Sequence, residues 1–263
     1  MNILETIIEH KALFIEDKKT SVSIASLKKS PLFSRQPLSL KQFLLDDTKT
    51  SIIAEFKRKS PSIGIINNKA DVVEITTAYT KYGASGLSVL TDNNFFGGCD
   101  GDLIKARVNQ IPILRKDFII DEYQLIEAKS IGADVILLIA VCLSPPRVKD
   151  LAIFAQQLGL ETILEIHCEE ELGHICNEID IIGVNNRDLK TFTLDINRSI
   201  GLSKKIPTDK IKIAESGINN IKTIRIFKEA GFKGFLIGEN FMKEPDPTIA
   251  FAHFVENLKS TAT

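Results

Sequence analysis

The sequence predicts an α/β protein: a (β/α)₈ TIM barrel over residues 51–263, preceded by an N-terminal helical extension over residues 1–50. From residue 51 onward, eight short apolar or β-branched runs alternate with helical patterns, about 20 to 35 residues apart, as such a barrel requires. Several runs are apolar on successive residues, Val135-Ile136-Leu137-Leu138-Ile139 among them. Strands buried on both faces of a helix-covered parallel sheet read this way. An open doubly wound sheet would instead favour a Gly-rich turn after its first strand. Here that turn reads Glu55-Phe56-Lys57-Arg58-Lys59-Ser60-Pro61-Ser62.

The extension comes first. Leu4, Ile7, Ile8 and Ile15 lie near helical spacing, and Ser39 with Gln42 is placed to cap a second short helix running to Leu45. A polar stretch with Pro31 and Pro37 lies between them. The extension either plugs the barrel bottom or folds over the open top as part of a lid. No linker is long enough to make it a separate domain.

The expected strands are 52–56, 86–91, 112–116, 135–139, 161–166, 181–185, 210–214 and 235–238. The intervening helices carry their own punctuation. Asp71 with Glu74, and Asp121 with Gln124, have capping-box spacing. Pro145 and Pro146 suit a first helical turn, where a missing N–H needs no partner. Gly83, Gly132, Gly159 and Gly231 each end a helical stretch just before a strand, where positive φ is often needed.

Composition narrows the function classes. With 33 Lys plus Arg against 34 Asp plus Glu, the formal charge is −1, without the basic surplus of a nucleic-acid binder. The longest apolar run, Val135 to Leu143, is too short to span a bilayer. No basic stretch leads into an apolar core at the start, so no secretory signal is read. Cys99, Cys142, Cys168 and Cys176 form no framework, which suits a reducing cytoplasm.

In such a barrel, catalytic groups project from the C-terminal strand ends. Those ends carry Glu55 and Lys57, Lys116, Glu165, Asn185 and Arg187, and Glu215 with Ser216. Each alone reads as a solvated loop residue or a structural ion pair. Together, two lysines and three glutamates converge on one mouth, where partners or a ligand must offset the cost of burying charge. Lysines and carboxylates in one dry site shift one another's pKa toward proton transfer near neutral pH. Ser216-Gly217 and Gly238-Glu239-Asn240 follow the seventh and eighth strands, the usual place for a phosphate cradle. Ser60 and Ser62 add hydroxyl donors, while Phe95, Phe96 and Phe118 offer an apolar wall for a flat aromatic group.

Two apparent metal signals are set aside. His167, Cys168, His174 and Cys176 lack a close cysteine pair, and a helix starting at Cys168 would spread them over different faces. Asp100-Gly101-Asp102 lacks the ligand alternation of a calcium loop and reads as a helix start.

The sequence resembles the indole-3-glycerol phosphate synthase family over essentially its whole length. The resemblance rests on six segments in barrel order. They are Ile53-Ala54-Glu55-Phe56-Lys57-Arg58-Lys59-Ser60-Pro61-Ser62, Leu87-Ser88-Val89-Leu90-Thr91-Asp92 and Leu114-Arg115-Lys116-Asp117-Phe118-Ile119-Ile120-Asp121. The others are Leu164-Glu165-Ile166-His167, Gly183-Val184-Asn185-Asn186-Arg187-Asp188-Leu189 and Ala214-Glu215-Ser216-Gly217-Ile218.

The resemblance implies a carboxy-lyase of tryptophan biosynthesis that needs no organic cofactor and no metal. It closes an indole ring on an anthranilate-derived ribulose phosphate, with loss of CO₂ and water. It assigns Lys116 as general acid on the ketone oxygen and Glu165 to dehydration and electrostatic support. Lys57 is implied to pair with the substrate carboxylate or join a later proton transfer, and Glu55 to orient the lysines or act as base. Asn185, Arg187 and Glu215 complete the polar network. Ser60, Ser216, Gly217, Gly238 and the backbone of Glu239 map onto phosphate-binding positions, and Phe96, Phe118 and Leu137 onto the anthranilate pocket.

Three positions depart from the common pattern: Ile63 where many relatives have lysine, Cys99 for a common serine, and Cys168 for an aspartate cap. The alternatives are a Schiff-base aldolase acting through Lys116 or Lys57, a phosphoribosylanthranilate isomerase, and a non-catalytic sugar-phosphate binder. The expected partner is a small-molecule substrate, with no nucleic acid and no membrane. A monomer is expected, a weak homodimer being the alternative.

Overall fold

A computed structural model describes residues 3–188 and 193–260. Leu189, the last residue of one family segment, lies outside the described residues. The barrel strands are β1 Ile52–Phe56, β2 Gly86–Leu90, β3 Ile113–Lys116, β4 Val135–Ile139, β5 Glu161–Ile166, β6 Ile181–Asn185, β7 Ile211–Glu215 and β8 Gly234–Ile237. Each pairs in parallel with its neighbours in sequence, and β1 pairs with both β2 and β8. The sheet therefore closes.

All eight expected strands are present, four with shifted ends. β2 stops at Leu90, β3 starts at Ile113, and β7 and β8 sit one residue later and earlier than expected. Strand ends follow the hydrogen-bond ladder, and the apolar run that reveals a strand need not stop where its pairing does.

Helices α1 Ile3–Ser21, α2 Ile24–Leu27 and α3 Leu40–Leu44 form the extension. Around the barrel come α4 Val72–Lys81, α5 Asp100–Ala106, α6 Glu122–Ser130, α7 Pro145–Gln157, α8 Ile196–Ser203, α9 Ile221–Glu229, α10 Glu239–Met242 and α11 Pro247–Ser260. Asp121 and Gln124 form a reciprocal capping box on α6, Asp71 caps α4, and Ser39 caps α3. Gly83, Gly132, Gly159 and Gly231 all have positive φ. β5 is followed by a 3₁₀ helix, Glu169–His174, rather than by the expected α-helix. Gly173 stands in its last turn, where helix continuation is disfavoured.

The extension occupies both ends of the barrel. At the bottom, Leu40 and Leu44 of α3 join an interior cluster with Ile53, Val135, Ile163, Ile181 and Ile213. Gly86 and Gly234 make room for them: a Cβ there would lie 2.8 Å from Leu40 Cδ1 and 2.9 Å from Leu44 Cδ2. At the top, Ile3, Leu4 and Ile7 of α1 border the open mouth. Among the described residues, no helix is long and apolar enough to cross a membrane.

Candidate active site

Side-chain alternation along the strands builds the site. Ile53, Leu114, Ile163, Ile181 and Ile213 fill the barrel interior. Counting upward in twos from them reaches Glu55 and Lys57, Lys116, Glu165 and His167, Asn185 and Arg187, and Glu215. The same faces of the strands thus change from apolar to ionic toward the C-terminal rim.

The fifteen residues to which the family resemblance assigns roles all line one cavity of about 260 Å³: Glu55, Lys57, Ser60, Phe96, Lys116, Phe118, Leu137, Glu165, Asn185, Arg187, Glu215, Ser216, Gly217, Gly238 and Glu239. At its floor, Lys116 Nζ donates to Glu165 Oε2 at 3.0 Å and lies 3.7 Å from Glu215 Oε2. Asn185 Nδ2 donates to Glu165 Oε1 at 3.0 Å. Lys57 Nζ donates to Glu55 Oε1 at 2.7 Å, and Ser88 Oγ donates to Glu55 Oε2 at 3.3 Å. Two bare α-carbons admit these carboxylates. A Cβ on Gly183 would lie 2.1 Å from Glu215 Oε1, and one on Gly238 would lie 2.7 Å from Glu55 Oε1.

The charges are unequal by construction. Burial opposes the Lys116 ammonium, but Glu165, Glu215 and Glu55 outweigh burial and hold its pKa well above the ordinary value. Burial opposes the Glu165 carboxylate too, yet Lys116, His167 and the Asn185 hydrogen bond hold it well below the ordinary range. Glu215 goes the other way, pushed up to about 8 by burial and by the Glu165 charge, against the pull of Lys116. Its Oε1 is buried without a hydrogen-bond partner. The floor therefore favours charge on the Lys116 ammonium and the Glu165 carboxylate and disfavours it on the Glu215 carboxyl.

One wall is apolar, with the Phe96 and Phe118 rings 6.0 Å apart at 40° and Leu137 beneath them. Phe95 does not join this wall. Its N–H donates to Asp92 Oδ1, and its ring packs edge-on against His10 of α1 at 5.7 Å. On the opposite side, Ser216 and Gly217 both adopt left-handed backbone, with φ of 66° and 68°. Asn186 Nδ2 holds the turn by donating to Ser216 O at 2.7 Å. The first turn of α10 begins beside it, its N–H groups having no carbonyl behind them. Arg187 lies 3.3 Å from the Glu239 carboxylate, joining the rims of β6 and β8. Ser60 and Ser62 approach each other at 3.3 Å in the first loop, where Ile63 is half exposed.

Several participants escape sequence reading. Lys11 of α1 is 4% exposed and pairs with both Asp92 and Asp117 at 2.8 Å. Asp92 follows β2 and Asp117 follows β3, so one ammonium ties α1 to the two loops bearing Phe96 and Phe118. Lys18 makes a second tie, to Asp100 at 2.6 Å and to Glu127. Arg115 of β3 pairs with Glu127 of α6 at 2.6 Å. A buried cation on an amphipathic helix has no local sequence mark, and Lys11 differs little from its exposed neighbours until the fold is known. Cys99 and Cys168 are the N-cap residues of α5 and of the 3₁₀ helix, make no side-chain cap, and lie outside the cavity. Asp100 begins α5, as the helix-start reading expects. Among the described residues, no group of three or more His, Cys, Asp or Glu side chains is disposed to hold a metal ion.

Residues 4–254 match the profile of the family described as indole-3-glycerol phosphate synthase. Similar proteins of that name include one from Bacteroides thetaiotaomicron, 44% identical over 259 residues, 98% of this chain and 99% of the relative. Another, from Salinibacter ruber, is 39% identical over 266 residues, 100% of this chain and 98% of the relative. Among solved structures, the tryptophan synthase alpha subunit from Legionella pneumophila aligns with a TM-score of 0.62 at 15% identity, covering 84% of this chain and 97% of that one. Its Pyrococcus furiosus counterpart aligns at 0.61 and 16%, covering 81% and 99%. Identities this low speak for the barrel alone. The family profile spans nearly the whole chain and the relatives match it over their full length: the chain belongs to the indole-3-glycerol phosphate synthase family.

Proposed function

We propose that this chain converts 1-(2-carboxyphenylamino)-1-deoxyribulose 5-phosphate to indole-3-glycerol phosphate, with CO₂ and water as the other products. The observation that carries the reading is the floor of the cavity: a protonated Lys116 held by Glu165, between an apolar aromatic wall and a turn suited to phosphate.

The steps assign one task to each group. Phe96, Phe118 and Leu137 stack the anthranilate ring. Ser60, Ser216, Gly217, Gly238 and the Glu239 backbone hold the phosphate, and Lys57 meets the ring carboxylate. This folds the substrate so that its carboxyl-bearing ring carbon faces the ketone carbon, and such proximity can contribute about 7 to 11 kcal/mol in favourable cases. The ring carbon attacks the ketone carbon, and the ketone oxygen takes a proton from Lys116 Nζ. The carbon–carboxylate bond then breaks, its electrons restore the aromatic ring, and CO₂ leaves. Lys57 gives the second proton as the hydroxyl departs as water. Glu55 takes the proton from the adjacent carbon as the new double bond forms, and returns it to Lys57 across their hydrogen bond. Because a carboxylate leaves as neutral CO₂, one further proton comes from solvent and restores Lys116. Glu165 steadies positive charge on the ring nitrogen, while Asn185, Arg187 and Glu215 fix the floor.

The charge on Lys116 argues against the aldolase alternative, which needs a neutral amine nucleophile. The four cysteines are free, which supports a reducing, cytoplasmic setting. Supplying the ribulose phosphate to the purified chain tests the reading: one CO₂ should appear for each indole formed. Failure to release either product would overturn it.

A further inference from the structure

His167 follows the last residue of β5, two positions beyond Glu165, and no step of the ring closure uses it. Its side chain is only 8% exposed. Nε2 lies 3.2 Å from Glu165 Oε1, and Nδ1 lies 3.4 Å from Glu171 Oε2. Both contacts lie within hydrogen-bond distance, although neither ring nitrogen is aligned for a straight bond. Glu171 cannot swing away easily, because its Oε2 accepts the backbone N–H of His167 at 2.6 Å. Glu165 is therefore held from three sides: by Lys116 of β3, Asn185 of β6 and the His167 ring. The other titratable groups in this neighbourhood include Glu215 of β7, Cys142 of the turn after β4, and Cys168 and His174, which flank Glu171. The Cys142 thiol stays neutral, its pKa pushed up to about 12 by burial and by Glu165 and Glu171.

We infer that His167 is a positioning residue, an imidazolium wedged between Glu165 and Glu171 that holds Glu165 ionised and aimed at Lys116. The inference rests on the ring-closure reading for its kinetic consequences. Two buried carboxyls, Glu165 and Glu215, share the Lys116 ammonium, and like charges this close resist joint ionisation. A second cation in contact with only one of them decides which keeps the charge. His167 touches Glu165, so the proton resides on Glu215. Burial opposes charge on the ring, but the two carboxylates overcome it and push its pKa up to about 9.

Nitrogen NMR of the histidine ring, recorded without substrate, should show both nitrogens of His167 protonated at pH 7 and deprotonating near pH 9. His167→Asn and His167→Gln should lower kcat at pH 7 by about tenfold, one pKa unit's worth of interaction, with KM little changed. That deficit should shrink toward unity at pH 10, where the wild-type ring has lost its own charge. A neutral ring at pH 7, or a deficit constant across pH, would overturn the inference and leave His167 a packing residue. If the wild-type chain forms no indole, the ring-closure reading fails, and the NMR titration still decides the charge of His167.

Discussion

A Cβ on Gly183 would lie 2.1 Å from Oε1 of Glu215, so the carboxyl of β7 occupies space that β6 leaves by having no side chain there. Gly183→Ala should displace Glu215 and overpack the barrel at a cost of about 1–3 kcal/mol. Turnover should fall by at least about 10²-fold, the lower range for a disturbed acid–base network. Thermal melting and indole fluorescence, measured together, check this. An alanine variant with wild-type melting and wild-type turnover would refute the placement of Glu215.

Lys11 is the buried link between α1 and the loops that carry the aromatic wall. Lys11→Met would leave Asp92 and Asp117 buried without their shared cation, a loss of about 3–5 kcal/mol for a broken buried pair. The expected signs are a lower Tm, faster proteolysis within α1, and a KM that rises by a larger factor than kcat falls. Unchanged melting and KM would show that the helix is held by other contacts.

Stability should depend on pH between about 6.5 and 9, and the sign follows from His167 and Glu215. The folded pKa of His167 is raised from 6.5 to about 9. Its contribution is therefore complete below 6.5 and disappears as pH climbs through 9. Glu215 is raised from 4.5 to about 8, so between those values the folded state retains a proton that the unfolded chain has already released, and stability again falls with rising pH up to about 8. The Tm should decline from pH 6.5 to 9, less steeply in His167→Asn. A Tm that rises over this range would contradict both shifts.

Cys99 caps α5 with no side-chain hydrogen bond. Serine at that position supplies the missing acceptor, so Cys99→Ser should stabilise the fold by about 1 kcal/mol without altering turnover. Denaturant unfolding measures the difference, and an unchanged midpoint would mean that the cap geometry does not admit the hydroxyl.

The barrel was legible because burial on two faces writes strands such as Val135–Ile139 as uninterrupted apolar runs. The site was legible for a related reason. Ionic residues an even number of steps from Ile53, Leu114, Ile163 and Ile213 must share their inward face. The roles of the extension were less so: Leu40 and Leu44 look like any short apolar helix, and only the bare Gly86 and Gly234 show that they enter the barrel floor. Lys11 and His167 stayed hidden because their partners are remote or ambiguous in sequence. Lys11 meets carboxylates more than eighty residues away, and His167 sits among cysteines that direct attention to metals. Phe95 was misplaced because a loop aromatic one residue from the wall can turn outward, as the Asp92 hydrogen bond makes it do.

The most direct measurement compares the wild-type chain with Lys116→Ala, following indole fluorescence from the ribulose phosphate and substrate binding separately. The wild type should form indole, while the variant should bind substrate but lose turnover by about 10²–10⁴-fold or more. Indole formation by the alanine variant at a near-normal rate would contradict the assignment of Lys116 as the proton donor.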